Sequence, residues 1–399
     1  MTKYIICLGD GMADHPIKEL NNQTPLKKAL TPHIDTLSNN GCLGLVHTVQ
    51  KEFPPGSDVA NMGILGYDPA LYYTGRGPIE AASLNVTCSE NEIIFRCNLV
   101  NTKNDTMIDF TSEHISTEES TQLIHELNQH FSQQPIRFIP GVSYRHIMIA
   151  DKKFLSLNTT APHDITDKKI NPYLPKGHLE EQFYSIIQEA NTILESSPIN
   201  KKRQQNNKKP ANHIWPWSQG KLPSLPGFKD SFGISGGIIT AVDLLKGLGK
   251  LTGLTTPHVK GATGFIDTNY EEKIKESFKI LETHDFCYIH IEAPDEAGHM
   301  GDHELKIKAI EDFDKHIVGP VLNYQKQNPD TVIMVLPDHP TPCHLKTHTR
   351  EPVPFCMYYK GIQNCSSLDY TEHNASLTSL VFNTPWELLT SFLSKKPLY

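Results

Sequence analysis

The sequence lacks any apolar run close to the roughly 20 residues that a membrane-spanning helix needs, which excludes an integral membrane protein. It also contains no evident internal repeat. Its 399 residues are 38% hydrophobic and 21% charged, so there is enough apolar material for packed cores and a largely disordered chain is not expected. The length predicts two or three domains.

Positive charge is in deficit. Lys and Arg number 37 against 45 Asp and Glu, and the net charge is −8. This balance argues against nucleic acid as the main partner, because phosphate contacts need a local excess of cations. The one basic run, residues 201–210, could mark a nucleic-acid patch, but no aromatic residue interrupts it and we expect a solvated loop. A small molecule is the expected ligand.

Closely spaced cysteines are absent as well. The eight cysteines are never closer than nine residues apart, so there is no C-x-x-C pair for a metal or a redox reaction. Several lie in apolar runs, as buried free thiols do. The apolar run Tyr4–Leu8 ends at Gly9 and is too short for the core of a signal peptide. We therefore expect a cytoplasmic protein.

Polar side chains follow three short apolar runs that are typical of buried strands. The runs and the residues after them are Tyr4–Leu8 before Asp10, Phe286–Ile291 before Glu292 and Asp295, and Thr331–Leu336 before Asp338 and His339. In an open α/β sheet, ligands bind at the carboxyl ends of parallel strands. The sequence therefore predicts one polar site built from distant segments.

Helical patterns flank these strands and give the two ends of the chain the character of one α/β domain. The helical patterns span Pro25–Asn39, Glu271–Thr283 and His303–Tyr324. The middle of the chain has short strand patterns at Ile93–Val100, Met107–Phe110 and His146–Ala150, and helical patterns at Glu118–Phe131 and Leu179–Ser196. We predict an inserted α+β domain between the two halves of the α/β domain.

Acids and imidazoles near these strand ends are spaced like metal ligands. Asp295 and His299 are four residues apart, which places both on one face of a helical turn. Asp338 and His339 follow a strand directly, and His348 comes nine residues after His339. Each pair is a weak signal alone, and each histidine could be structural. Six convergent nitrogen and oxygen donors including Asp10 suit two divalent ions, which can clamp the two oxygens of a phosphoryl transfer.

Ser57 is a candidate nucleophile. It lies in the turn Pro54-Pro55-Gly56-Ser57-Asp58, before a helical pattern at Ala60–Leu65 whose amides would favour an incoming phosphate. The alternative is that Ser57 only caps this helix. Spacing alone does not decide between the two roles.

Motifs in order along nearly the whole chain resemble one known family. They are GDGMADHP, TPLKKALTPHIDTLSNNGCLG, PPGSDVANMGILGYDP, GRGPIEA, YRH, IWPWSQG, VKGATGFIDTNY, HIEAPDEAGHMGD, PDHPTPC and HTREPVPF. This set resembles the archaeal-type 2,3-bisphosphoglycerate-independent phosphoglycerate mutases, which belong to the alkaline phosphatase superfamily. The resemblance implies a glycolytic enzyme that interconverts 3-phosphoglycerate and 2-phosphoglycerate through a phosphoserine.

The resemblance also implies a fold and two metal sites. The phosphatase-like domain, a mostly parallel sheet flanked by helices, would comprise residues 1–85 and 265–399, and the insertion, residues 86–264, would close over the substrate. Ser57 matches the nucleophile of the family. One metal set would be Asp10, Ser57, Asp338 and His339, and the other Asp295, His299 and His348. The expected cofactors are two divalent ions, Mn²⁺ first and otherwise Zn²⁺, Mg²⁺ or Co²⁺, without 2,3-bisphosphoglycerate.

A substrate with a phosphate and a carboxylate needs cations, preferably arginines. The candidates are Arg145, Lys260, Arg96 and Arg76, each of which could instead be an ordinary surface charge. His146, His163 and Asp164 are candidates for moving protons between the substrate hydroxyls. Trp215 and Trp217 are expected to be packing anchors.

Three alternatives remain open at this stage. A related homoserine kinase or a simple phosphomonoesterase would keep the same metal ligands and differ in the insertion. Pro340, where the family pattern has a small polar residue, leaves the substrate open. A non-catalytic metal- or nucleic-acid-binding protein would use the basic run and would not need Ser57.

Overall fold

The structure is a computed structural model that describes residues 2–364 and 367–395. It divides into two compact units. The larger comprises Met1–Tyr73 and Leu225–Tyr399, and the smaller comprises Thr74–Ser224. A discontinuous domain that is interrupted by an insertion was expected, but the bounds differ from those predicted at 85 and 265.

Twelve strands lie in the described residues, in two sheets. The strands of the larger unit are β1 Lys3–Gly9, β2 Cys42–Val46, β8 Gly236–Ile239, β9 Phe286–Ile291, β10 Thr331–Leu336, β11 Val353–Tyr358 and β12 Val381–Phe382. Those of the smaller unit are β3 Glu92–Lys103, β4 Thr106–Asp109, β5 Arg137–Ile139, β6 Arg145–Asp151 and β7 His213–Gly220. The three strands predicted around the site, β1, β9 and β10, are confirmed.

Sixteen α-helices lie in the described residues. In the larger unit they are α1 Pro25–Lys28, α2 Pro32–Asn40, α3 Ser57–Ile64, α4 Pro69–Tyr72, α9 Phe228–Phe232, α10 Asp243–Thr252, α11 Tyr270–Thr283, α12 Ala293–Met300, α13 His303–Phe313, α14 Gly319–Gln327, α15 Glu372–Ser376 and α16 Pro385–Ser394. In the smaller unit they are α5 Arg76–Ser83, α6 Thr117–His130, α7 Glu180–Ser196 and α8 Pro198–Gln205.

The sheet of the larger unit has the order β12-β2-β11-β10-β1-β9-β8. Strand β1 lies between β10 and β9 and is parallel to both, so the carboxyl ends of these three strands meet at one edge. Strand β11 is antiparallel to β10 and β2, so the sheet is mostly but not wholly parallel. Because β8 pairs with β9, residues 236–239 belong to this sheet and not to the insertion as predicted.

Prolines divide two predicted helices. The pattern Pro25–Asn39 forms α1 and α2, because the residue before Pro32 is pushed away from helical geometry. The pattern His303–Tyr324 forms α13 and α14 with a π-helical segment, Asp314–Val318, between them. Pro320, at the start of α14, cannot donate the usual backbone hydrogen bond, which fits this local widening.

The basic run is mostly exposed, as expected, except at Arg203, but only its second half is a loop. Helix α8 includes its first five residues. Arg203 is 2% exposed, pairs with Glu119 and donates 2.7 Å to the carbonyl of Ser112. Arg203 is therefore committed inside the fold, whereas Lys201, Lys202 and Lys208 are exposed.

The cysteines are mostly as expected. Free thiols are found at Cys7, Cys88, Cys97, Cys287, Cys343 and Cys356, and all but Cys88 are buried. Cys42 is disulfide-bonded, which the wide spacing did not suggest. Cys365 lies outside the described residues.

A buried ion pair fixes the segment after β1. Lys306 on α13 is 0% exposed; its Nζ lies 2.8 Å from Asp14 and also donates to the carbonyls of Ala13 and Thr341. These bonds join two strand ends to a helix. They therefore hold the segments that follow β1 and β10 in place against α13.

Replacing Lys306 by methionine is expected to lower the free energy of unfolding by about 3–5 kcal/mol, because it leaves the charge of Asp14 buried and unpaired. Urea unfolding followed by circular dichroism measures the effect. Lys308→Met, at an exposed lysine on the same helix, is the matched control and should stay within about 0.5 kcal/mol of the unmodified protein. Equal midpoints for the two variants would contradict the prediction.

Candidate active site

The carboxyl ends of β1, β9 and β10 present their polar residues at one edge, as predicted. Asp10 follows β1, and Asp338 and His339 follow β10. Asp295 lies on α12, the helix that begins two residues after β9. Gly11 allows the close approach: its φ is 60°, its N–H donates 3.1 Å to Asp338, and a Cβ there would lie 2.5 Å from Asp295 Oδ1.

Asp10, Asp338 and His339 form the first of two clusters. One donor atom from each lies within 4.8 Å of the others, and all three side chains are buried. His339 Nε2 is 3.6 Å from Asp10 Oδ1 and 3.5 Å from Asp338 Oδ2. Burial and the nearby carboxylates of Asp338 and Asp295 raise the pKa of Asp10 well above its usual range. Gathered carboxylates of this kind favour a bound cation.

Asp295, His299 and His348 form the second cluster, again with donor atoms within 4.8 Å. His299 Nε2 lies 3.2 Å from Asp295 Oδ2, and His348 Nε2 lies 3.5 Å from Asp295 Oδ1. Burial raises the pKa of Asp295, but the two imidazoles outweigh it and hold that pKa well below its usual range. Burial lowers the pKa of His299, but Asp295 raises it to about 10.

Backbone carbonyls orient both imidazoles of the second cluster. His299 Nδ1 faces the carbonyl of Lys346 at 3.0 Å, and His348 Nδ1 faces that of Pro55 at 3.4 Å. With Nδ1 donating in each ring, the two Nε2 atoms face each other at 2.9 Å. Carbonyl bonding of the remote nitrogen is how proteins orient metal-ligating histidines.

These residues fit a pair of divalent cations. Asp10 Oδ1 is buried and has no hydrogen-bond partner among the described residues. The donors are carboxylate oxygens and imidazole nitrogens without a thiolate, a set that suits Mn²⁺, Zn²⁺ or a similar ion. The two clusters are adjacent, since the rings of His339 and His348 are 4.1 Å apart.

Ser57 is the first residue of α3 and is 8% exposed. The N-cap of this helix is Gly56, so Ser57 does not have the capping role that its sequence allows. Its Oγ lies 3.0 Å from His339 Nε2. The loop that carries it therefore contacts both clusters, through Ser57 to His339 and through Pro55 to His348.

Sequence patterns missed a second layer of polar residues behind Asp10. His290, inside β9, lies 3.1 Å from Asp10 through Nε2 and 3.0 Å from Glu292 through Nδ1. Lys273 pairs with Glu292 at 2.9 Å. Burial lowers the pKa of His290, but Glu292 and Asp10 raise it to about 10. The only sequence signals were Asp10 and Glu292, the acids that follow β1 and β9 and that contact His290 from either side.

Asn61 is a further missed residue. Its side-chain amide donates 2.8 Å to Asp338 and 2.9 Å to the carbonyl of Ser57, and Tyr288 donates to its oxygen. Asn61 lies one helical turn after Ser57 on α3. It thus ties the candidate nucleophile to a carboxylate of the first cluster.

The predicted substrate-binding residues fall in both units. Arg76, Arg96, Arg145, His146, His163 and Asp164 lie in the smaller unit, whereas Lys260 is exposed in the larger one. Glu80 pairs with both Arg76 and Arg96. The guanidinium carbons of these arginines lie 5.8 and 5.9 Å from the Trp217 ring, and His163 lies edge-on to it. Trp217 is buried in an apolar cluster, as expected of a packing residue, and it also contacts these two arginines and His163.

Arg145 and His146 have buried polar atoms without hydrogen-bond partners among the described residues, Nε in Arg145 and Nε2 in His146. His146 is 1% exposed and its Nδ1 accepts from Gly141 N–H. Burial lowers the pKa of His146 to about 3. Because the imidazole is neutral and Nδ1 accepts, its one hydrogen lies on Nε2, which is therefore a hydrogen-bond donor. Asp164 is exposed, 3.9 Å from His163.

Among the described residues, every helix is too short or too polar to cross a bilayer.

Comparison with known proteins gives consistent results. The sequence model of the 2,3-bisphosphoglycerate-independent phosphoglycerate mutase family matches residues 38–200. A Methanosarcina mazei protein of that name is 49% identical over 358 residues, which are 89% of this chain and 90% of the relative.

Two solved structures are similar over nearly their full lengths. A Pyrococcus horikoshii protein has a TM-score of 0.80 at 25% identity, covering 100% of this chain and 99% of its own. The cofactor-independent phosphoglycerate mutase of Thermoplasma acidophilum has a TM-score of 0.62 at 24% identity, covering 99% of this chain and 100% of its own. The second likeness shows that the fold is shared.

Proposed function

This chain belongs to the family of 2,3-bisphosphoglycerate-independent phosphoglycerate mutases, and from that premise we propose that it interconverts 3-phosphoglycerate and 2-phosphoglycerate through a phosphoserine at Ser57. The observation that carries the assignment to Ser57 is its hydroxyl, buried beside His339 in a loop that contacts both clusters. A nucleophile needs this kind of fixed, partly desolvated position.

The proposed ligand sets follow the two clusters. Asp10, Ser57, Asp338 and His339 would hold one ion, and Asp295, His299 and His348 would hold the other. Two divalent ions at such a site would offset the charge that develops on the attacking and leaving oxygens of a phosphoryl transfer. Mn²⁺ is the proposed ion, with Zn²⁺, Mg²⁺ and Co²⁺ as other ions of suitable charge.

The reaction needs two transfers of the same phosphoryl group. In the first, Ser57 Oγ loses its proton and bonds to phosphorus, the ester bond of the substrate breaks, and the released oxygen takes up a proton, which leaves glycerate in the site. In the second, the other hydroxyl of glycerate loses its proton and bonds to phosphorus, the Oγ–P bond breaks, and Ser57 Oγ takes up a proton. Ser57 returns to its starting state, so the reaction requires no phosphorylated cofactor.

Cations of the chain are proposed to bind the phosphate and the carboxylate of the substrate. The proposed group is Arg145, Lys260, Arg96 and Arg76, with His146, His163 and Asp164 in contact with the substrate hydroxyls. What supports it is the arginine pair around Trp217 and the unpartnered donors of Arg145 and His146. Planar guanidinium groups match carboxylate and phosphate geometry. Six free thiols against one disulfide-bonded cysteine among the described residues support the cytoplasm as the proposed location.

Metal removal tests the function directly. Protein that has been stripped with EDTA should not interconvert the phosphoglycerates, and Mn²⁺ should restore the reaction in the absence of 2,3-bisphosphoglycerate. The release of inorganic phosphate would instead indicate a phosphomonoesterase. Phosphorylation of homoserine by ATP, without phosphoglycerate turnover, would favour the kinase alternative.

A further inference from the structure

Thr341 lies between the two clusters and is held there by its backbone. Its N–H donates 3.1 Å to the carbonyl of Ala13, and its own carbonyl accepts 2.9 Å from Lys306 Nζ. The residue is 0% exposed. A strand end and a helix thus fix the position of its side chain.

The Thr341 hydroxyl contacts a candidate ligand of each cluster. Its Oγ1 donates to Asp295 Oδ1 in the second cluster and lies 3.2 Å from His339 Nδ1 in the first. Among the described residues, no other side chain is recorded in hydrogen-bond contact with both of these residues. The surroundings are tight: a Cβ on Gly11 would lie 2.5 Å from this hydroxyl, and a Cβ on Gly298 would lie 2.5 Å from the Thr341 carbonyl.

The two hydrogen-bond partners of the Thr341 hydroxyl determine where the hydrogens of Thr341 and His339 lie. A carboxylate such as Asp295 can only accept, so the single hydroxyl hydrogen of Thr341 goes to it. The hydroxyl then has only lone pairs to offer to His339, and Nδ1 of that ring must carry a hydrogen. In a neutral imidazole this leaves a lone pair on Nε2, the atom that faces Ser57, Asp10 and Asp338.

We propose that Thr341 is a positioning residue that couples the two ligand sets, because its one hydroxyl fixes the tautomer of His339 and the orientation of Asp295 together. The proposal rests on the metal-dependent function inferred above, since it is the convergent donors that need orienting. It goes beyond that function by naming a residue that is not among the proposed metal ligands or substrate-binding residues. Hydrogen-bond partners of this kind usually change metal affinity by about 10–100-fold.

The tautomer can be read in the unmodified, metal-free protein. Nuclear magnetic resonance of protein labelled with ¹⁵N-histidine distinguishes Nδ1–H from Nε2–H imidazole, and His339→Asn assigns the signal by its disappearance. We expect His339 to carry its hydrogen on Nδ1. Finding it on Nε2 would overturn the proposal without any change to Thr341.

Two substitutions separate the hydroxyl from the packing. Thr341→Val keeps the shape but removes the hydroxyl, and calorimetric titration should show Mn²⁺ affinity about 10–100-fold weaker for both ions, with the Nδ1–H tautomer lost. Thr341→Ser keeps the hydroxyl and should retain the tautomer, with a loss of affinity below about 10-fold. Weakening of only one ion, or unchanged affinity in Thr341→Val, would contradict the coupling. If Thr341→Val does not fold, the tautomer of the unmodified protein and Thr341→Ser still decide.

These readouts are independent of turnover. Protein that binds two Mn²⁺ ions and shows the Nδ1–H tautomer, but does not convert 3-phosphoglycerate, would refute the proposed function and leave the role of Thr341 standing. Active protein with the Nε2–H tautomer would do the reverse.

Discussion

Ser57→Ala should reduce the interconversion of 3-phosphoglycerate and 2-phosphoglycerate by about 10⁴-fold or more, because loss of a covalent nucleophile removes the pathway and not just one contact. The assay follows the formation of 2-phosphoglycerate in Mn²⁺ without 2,3-bisphosphoglycerate. The side chain is small and buried at the start of α3, so the fold should tolerate alanine. The loss of turnover would then reflect the missing nucleophile and not misfolding.

A second readout identifies the intermediate. Mass spectrometry of the peptide that contains Ser57 should detect a phosphate after incubation of the unmodified protein with 3-phosphoglycerate, and none in Ser57→Ala. Ser38→Ala is the matched control, since Ser38 is a fully buried serine of the same unit that bonds to the carbonyl of Leu368. It should keep its activity. A phosphorylated peptide elsewhere, or an active Ser57→Ala, would remove Ser57 from the mechanism.

His348→Ala should reduce the bound divalent ions from two to one per chain and lower turnover by about 10³-fold or more, since both charge-offsetting positions are needed in a two-ion transfer. His348 contributes an Nε2 atom to the second cluster, 2.9 Å from that of His299 and 3.5 Å from Asp295. Alanine cannot replace this ligand. Metal analysis after dialysis, with the turnover assay, measures both effects.

His344→Ala is the matched control, because His344 is an exposed histidine in the same loop, four residues earlier, whose ring packs on His15. It should keep two ions and full turnover. If His348→Ala still bound two ions, the assignment of the second set would be wrong. If it lost an ion but kept its activity, the second ion would be structural.

Local patterns were sufficient for the elements that build the site. Strands β9 and β10 match the predicted ranges, and β1 exceeds its range by one residue at each end. Long uninterrupted apolar runs bounded by turn residues identify buried parallel strands, and the acids after them mark the carboxyl ends. Convergence of Asp10, Asp295 and Asp338 was therefore predictable before any contact was known.

Features that depend on the partner of a segment were not predictable in this way. The pattern of residues 236–239 does not reveal that β8 pairs with β9, and so the second domain boundary was placed 40 residues too late. The basic run 201–210 has the composition of a loop, yet Arg203 is buried because Glu119 and Ser112 lie beside it. The arginine contacts of Trp217 on β7 were also not predictable, since Arg76 lies on α5 and Arg96 on β3.

By itself, the sequence determined the kind of chemistry: a buried sheet edge carrying acids and imidazoles, a serine in a tight turn, and a family whose motifs span the chain. Tertiary structure alone decided how these groups are connected. His290 behind Asp10, Asn61 beside Ser57 and Thr341 between Asp295 and His339 act through hydrogen bonds to residues that are distant in sequence. A hydrogen bond requires a donor and an acceptor at about 3 Å with the correct alignment, and only the packed chain sets that distance.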